Sequence, residues 1–275
     1  MNTEQKFGGL WTVQKLDAVE KYLQFYTTAL KRKAFKLCYI DAFSGSGNVT
    51  LRNGLVIDGS ALRALKYPFD VYYFFEKNEN YFKALSDKIK TSYLEMLPKI
   101  KIVNGDCNDL LQNIDKKSWI GEGWRGVIFL DPFAMELSWS CLEKISKTQA
   151  FDVWYLFPLS AVNRNLPKSG EIHQSNENIL TKVFGSDDWK EHIYKESMQM
   201  TLMDEAYMEK VTIEEMKQYI IKLLNKTFPT VSPNSAILRN DKNSPLFLLC
   251  FAGSNPNPTA HDLSLRGANY ILKHI

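Results

Sequence analysis

The stretch that most constrains this chain is Tyr39-Ile40-Asp41-Ala42-Phe43-Ser44-Gly45-Ser46-Gly47. An apolar run, Leu37 to Ile40, ends in an acidic residue and then a turn with two glycines one residue apart. This reads as a buried parallel strand passing into a loop wrapped round a ligand, because glycine brings the backbone close and takes φ > 0 freely. Asp41 at the strand end can accept hydrogen bonds from a ligand's amine or from loop amides. A two-glycine turn is by itself a weak sign of a nucleotide-type cofactor. The rest of the chain must supply the other parts.

Before the turn, Trp11, Leu16, Val19, Leu23, Tyr26 and Leu30 recur at helical spacing over residues 11 to 31, predicting a helix that covers the sheet edge or the pocket. After it comes an irregular stretch, Asn48 to Asp58, and Asp58-Gly59-Ser60 then opens a helix through Lys66. Four further strands are predicted at Asp70 to Phe75, Lys101 to Asn104, Gly126 to Leu130 and Phe151 to Leu156. Helices fall between them at Asn78 to Leu94, Asp109 to Ile114 and Ser138 to Lys147. This alternation predicts a parallel sheet with helices on both faces. Residues 163 to 230 are read as a helical insertion, slightly acidic, with no strong strand before Ser235. Ser235 to Arg239 and Leu246 to Phe251, joined by Asn240-Asp241-Lys242-Asn243-Ser244, predict an antiparallel hairpin. A helix from about Ala260 to Lys273 closes the chain. The expected fold is a Rossmann-like class I methyltransferase fold: a mostly parallel seven-stranded α/β sheet ending in an antiparallel hairpin. Residues 1–275 form a single domain in this reading, with 1–34 as an N-terminal helical extension.

The length suits one such domain. No apolar run approaches the roughly 18 residues of a membrane span, and the start lacks a secretion signal's apolar core, so a cytoplasmic protein is expected. Cys38, Cys107, Cys141 and Cys250 are scattered with no C-x-x-C pair, and no metal site is expected. The net charge is only +3, but residues 1 to 36 carry seven Lys/Arg against three Asp/Glu. Lys31-Arg32-Lys33 and Lys36 cluster just before the first strand, either as cations complementing a helix end or as part of a nucleic-acid surface.

Four strands end in an acidic residue at or just past the edge where open α/β sheets bind ligands: Asp41, Glu76, Asp106 and Asp131. Glu76 can accept both ribose hydroxyls of an adenosine. Asp106 and Cys107 can take the adenine amino group by side chain and a ring nitrogen by backbone. Asp41 with the loop through Phe43, Ser44, Gly45 and Gly47 would hold an amino-acid part. That set describes S-adenosyl-L-methionine. A nicotinamide dinucleotide fits less well: Thr50 stands where a third glycine belongs, and Glu76 lies 31 residues beyond Gly45, against about 20 in the dinucleotide fingerprint.

Asp131-Pro132-Phe133-Ala134 carries the expected acceptor chemistry. Methyl transfer from a sulfonium is an in-line displacement in which the enzyme positions the acceptor and stabilises the charge it gains. Asp131 would hold an exocyclic amine, Pro132 would fix the turn and Phe133 would stack on a base. The tetrapeptide resembles the D-P-P-Y motif of amino-methyltransferases acting on nucleic-acid bases. It is closer to the D-P-F-G of transfer-RNA enzymes that methylate guanine, with Ala134 in place of Gly.

The whole chain resembles the three-Cys-motif partner protein family. The matching pieces are Trp11, Lys15-Leu16 and Tyr22, Y-I-D-A-F-S-G-S-G, D-G-S-A-L-R-A-L at 58 to 65, F-F-E-K at 74 to 77, D-P-F at 131 to 133 and S-P-L-F-L-L-C-F-A-G-S-N-P at 244 to 256. The family more often has Gly where Ala42 stands. The resemblance implies a class I methyltransferase-like fold, S-adenosyl-L-methionine as cofactor, and a radical-enzyme-like partner that carries the namesake cysteines. Two functions follow as expectations: methyl transfer to an amino group of a base in DNA or RNA, or a cofactor-binding partner subunit without independent catalysis. A protein or small-molecule acceptor stays open.

Overall fold

A computed structural model describes residues 9–167, 170–196 and 208–275. Helix α1 (Leu10–Leu30) precedes strand β1 (Lys36–Asp41). The span expected to be irregular instead forms a small hairpin, β2 (Asn48–Thr50) and β3 (Val56–Asp58), paired Asn48 to Asp58. Next come α2 (Ser60–Ala64), β4 (Val71–Glu76), α3 (Glu79–Ser92), β5 (Ile100–Asn104) and α4 (Cys107–Leu111). They are followed by β6 (Trp124–Leu130), α5 (Trp139–Lys147), β7 (Phe151–Phe157) and α6 (Leu159–Arg164). Helix α4 starts two residues before the expected Asp109. The Asp106 side chain accepts the Asn108 amide and caps it there.

The sheet order is β5-β4-β1-β6-β7-β12, where β12 (Pro245–Gly253) runs antiparallel to β7 and pairs on its far side with β11 (Ala236–Arg239). Those seven strands are the ones predicted, in the order of the class I methyltransferase sheet. An eighth, β10 (Thr230–Val231), adds two residues beside the end of β12. Side chains alternate between two cores. Leu37, Tyr39, Val127, Phe129, Trp154 and Phe251 face α1, α2, α3 and the last helix α10 (Pro258–Lys273). Cys38, Ile40, Ile128, Leu130, Val153 and Cys250 face the other way, under α4, α5, α6, α7 (Gln174–Phe184), α8 (Trp189–Ile193) and α9 (Ile213–Thr227). All four cysteines are free and buried in this second layer.

The segment from 163 to 230 therefore shares the main core rather than building its own. It is not purely helical: β8 (Tyr194–Glu196) pairs antiparallel with β9 (Met208–Lys210). Three-residue strands of mixed polarity leave no clear period-2 signal. Its parts at 168–169 and 197–207 lie outside the described residues, as do 1–8 of the expected N-terminal extension. Helix α1 lies against the β11–β12 side of the sheet through Trp11 on Phe247, and its Lys15 reaches Asp131 in the row of strand-end carboxylates. It lies in the helical layer, with Tyr22 wholly buried against Trp154 and Phe251. No described helix is long and apolar enough to cross a membrane.

Candidate functional site

From β1 the chain steps outward to β4 and β5, then returns to the other side of β1 for β6 and β7. The order reverses between β1 and β6, and ligands of open α/β sheets sit outside the carboxyl ends at that point. The sequence places Asp41 at the end of β1 and Asp131 directly after β6. Glu76 and Asp106 follow at the ends of β4 and β5. The four predicted carboxylates thus form one row along adjacent strands.

The glycine loop is held down at both ends. Ser44 donates its amide and its hydroxyl to the Phe75 carbonyl, at 2.9 and 3.0 Å, and the Gly45 amide donates to Glu76 Oε2 at 2.8 Å. Gly45 and Gly47 have φ of 61° and 87°, the left-handed region that costs an L side chain about 1–2 kcal/mol. A Cβ on Gly47 would also come within 2.9 Å of Leu85. At the far side the Gly59 amide, preceding α2, donates to the Gly47 carbonyl at 2.7 Å. The turn is therefore fixed by its neighbours before any ligand arrives.

Asp41 is wholly buried, and its Oδ1 accepts the Phe43 amide at 3.2 Å. Its Oδ2 is buried without a hydrogen bond of ordinary geometry, the Ser60 hydroxyl lying close enough only to lower the pKa. Burial pushes this carboxyl up to about 7, the Ser60 hydroxyl and the Phe43 amide pull it down, Asp131 adds to the rise and Lys15 opposes it. A cationic ligand group would relieve that desolvation. Glu76 also carries a raised pKa, through burial, although the Asn78 and Gly45 amides oppose it. Its Oε1 accepts the Asn78 amide at 2.7 Å, and each oxygen keeps a lone pair for a ribose hydroxyl. Asp106 behaves oppositely. Partial burial raises it, but Lys77 at 2.9 Å and the Asn108 amides hold it down at about 2. Cys107, at the first turn of α4, is buried, which pushes its thiol up.

Three contributors were not visible in the sequence pattern. Lys15 of α1, nearly buried, ion-pairs with Asp131 and lies 5.0 Å from the Trp11 ring centroid, which itself packs on Phe247. Asn108 ties Asp106 to the loop after β6, donating to the Glu136 carbonyl at 3.0 Å and accepting the Ser138 amide at 2.8 Å. Glu136, also with a raised pKa through burial, faces Lys77 and Asp106 from that loop. In the Asp131-Pro132-Phe133-Ala134 turn, Pro132 is buried and Phe133 is 69% exposed. Ala134 has φ of 52°, in the left-handed region that favours glycine, the residue that ends the D-P-F-G motif the turn resembles. Among the described residues no group of His, Cys, Asp and Glu is arranged to hold a metal.

No family model matches the chain, and no curated protein matches it in sequence. Among solved structures it is similar to a Legionella pneumophila protein (LPL1258) at 12% identity, over 94% of this chain and 92% of that one, with a TM-score of 0.49. It is similar to spermidine synthase from Thermotoga maritima at 10% identity, over 92% and 62%, with a TM-score of 0.46. A putative S-adenosylmethionine-dependent methyltransferase from Listeria monocytogenes matches at 10% identity, over 86% and 98%, with a TM-score of 0.39. All three scores fall below 0.5, and the fold assignment rests on the strand order.

Proposed function

We propose that this protein is an S-adenosyl-L-methionine-dependent methyltransferase whose acceptor is an amino group of a nucleic-acid base. The observation that carries the reading is the row of carboxylates on β1, β4 and β5 beside a glycine loop already tied to Glu76. The residues fit the cofactor. Asp41 offers a buried carboxylate oxygen without an ordinary hydrogen bond, Glu76 would accept the ribose hydroxyls, and Asp106 with Cys107 would take the adenine. Bound there, the cofactor supplies an electrophilic methyl group. The chain's own contribution is to orient and stabilise: Asp131 to hold the acceptor's N–H groups, Pro132 to fix the turn, Phe133 to stack on the base.

Calorimetric titration with S-adenosyl-L-methionine and its demethylated product tests the cofactor, with Glu76→Ala expected to weaken binding at least tenfold. Transfer of labelled methyl to RNA, DNA and protein fractions tests the acceptor. Asp131→Ala should abolish transfer while leaving cofactor affinity unchanged; an unaltered rate would remove Asp131 from the acceptor role.

A second reading is favoured by the Lys15–Asp131 pair, which already engages the carboxylate meant for the acceptor. In it the chain is a cofactor-binding subunit for a three-Cys-motif protein, in line with the family resemblance. Lys15→Met separates the two. Freed for an amine, Asp131 should then raise the transfer rate, whereas a subunit without catalysis shows no transfer with either side chain.

A further inference from the structure

The basic cluster of the sequence lies at the other end of the sheet from the carboxylate row. Lys31, Arg32 and Lys33 follow the last turn of α1, and Lys36 opens β1 in register with Trp124 of β6. Residues 31–36 are all exposed, Phe35 among them. Lys36 Nζ lies 5.5 Å from the Trp124 ring centroid and Lys117 Nζ 4.9 Å from the same ring. The Arg125 guanidinium lies 4.5 Å from the Phe35 ring. Some surface lysines elsewhere, such as Lys83, Lys190 and Lys195, are ion-paired, while among the described residues exposed Lys21, Lys90 and Lys101 are not, so what marks this cluster is its grouping with the Phe35 and Trp124 rings. Among the described residues Lys31, Arg32, Lys33, Lys36 and Arg125 have no carboxylate within 4.0 Å, while Lys117 reaches Glu122 at 3.4 Å. Complementing the helix dipole accounts for a cation at the cap, Lys31. It does not account for cations gathered round the rings of the neighbouring strand.

We propose that this amino-edge patch binds the backbone of a single-stranded nucleic acid, with Phe35 and Trp124 as stacking faces. Unpaired phosphate-seeking cations supply the sequence-independent attraction, and aromatic faces take unpaired bases. A cation that leaves a ring face for the adjacent phosphate frees that face for the base. An acidic peptide or a lipid headgroup offers no such pairing. The inference rests on the nucleic-acid reading of the acceptor and sharpens it. Lys36 and Asp41, the two ends of β1, lie about 17 Å apart at the rise of a strand, so a ligand that engages both edges is a strand and not a free nucleoside.

Fluorescence anisotropy on the full chain tests this, with labelled single-stranded RNA and DNA oligonucleotides, an oligoglutamate peptide and phosphatidylserine vesicles as probes. The oligonucleotides should bind, and replacing Lys31, Arg32 and Lys33 together by Glu should weaken them at least tenfold. The slope of log affinity against log salt should flatten by about 2, at about 0.7 for each phosphate that is no longer neutralised. Phe35→Ala should weaken binding with the salt slope unchanged. Thermal melting confirms that each variant is folded. Oligonucleotide affinity unmoved by the triple replacement overturns the proposal, as does a wild type that binds only peptide, only vesicles or none of the probes. Cofactor titration in the same samples keeps the two readings apart. A chain that binds cofactor but no strand sinks this inference alone, and one that binds strand but no cofactor sinks the methyltransferase.

Discussion

Ala134 shows how a single backbone angle carries information that its side chain hides. An alanine at φ 52° is strained, and Ala134→Gly should remove that strain while adding freedom to the unfolded chain. The net expectation is a gain of about 0.5–1 kcal/mol, read as a shifted denaturation midpoint; a loss of stability would mean the methyl group is packed and useful. Asp152 of β7 is a second such residue, its Oδ2 accepting the Tyr22 hydroxyl at 2.6 Å in a buried setting. Burial pushes its carboxyl up to about 7, against the downward pull of the Tyr22 hydrogen bond. The folded protein then holds a proton that the unfolded chain has lost between about pH 4 and 7. Stability from this group is complete below that window and falls as pH rises through it. Asp41 acts in the same direction, while Asp106, held at about 2, changes only in stronger acid. Asp152→Asn keeps an acceptor for Tyr22 and cannot ionise, so its melting temperature should fall less than the wild type's between pH 5 and 8. Equal slopes would rule out Asp152 as a source. At this scale, the strand-end carboxylates were legible because each stands at or just past the end of a strand-like run. Lys15, Asn108 and Glu136 were not: Lys15 meets Asp131 across 116 residues of sequence, and no local pattern encodes such a contact.

Among the elements, helices and long strands were legible because their apolar periods are strong, and misreadings concentrate in short pieces. The β2–β3 hairpin has strands of only three residues, yet Asn53-Gly54, with Gly54 at φ 82°, is a turn dipeptide that could have announced it. The pair β8–β9 carried no such signal. What docks the inserted helices is a close contact rather than a propensity. Gly185 ends α7 at φ 87°, and a Cβ there would lie 2.6 Å from the Trp139 ring of α5. The Trp139 indole in turn donates to Thr227 Oγ1 at 3.1 Å, at the end of α9. Gly185→Ala should therefore cost about 3 kcal/mol, combining left-handed strain with overpacking. Chemical denaturation checks it; a change below about 0.5 kcal/mol would mean that α7 shifts without cost.

For the molecule as a whole, the strand order does more for function than any one side chain. Reversing direction between β1 and β6 brings residues 41, 76, 106 and 131 to a single edge, although they are spread over 90 residues. The same weave has distributed the four thiols unevenly. Cys38, Cys107, Cys141 and Cys250 sit on β1, α4, α5 and β12, every one in the layer beneath α4 to α9 and none in the layer beneath α1. Burial raises each thiol's pKa and shields it from reagents. Alkylation in the native state can then proceed only through opening of that one layer, which makes the wild-type chain its own one-sided reporter. Mass-resolved labelling should find Cys107 and Cys141, on the short helices α4 and α5, modified before Cys38 and Cys250 in the central strands, and the proposed cofactor, once added, should slow the first pair alone.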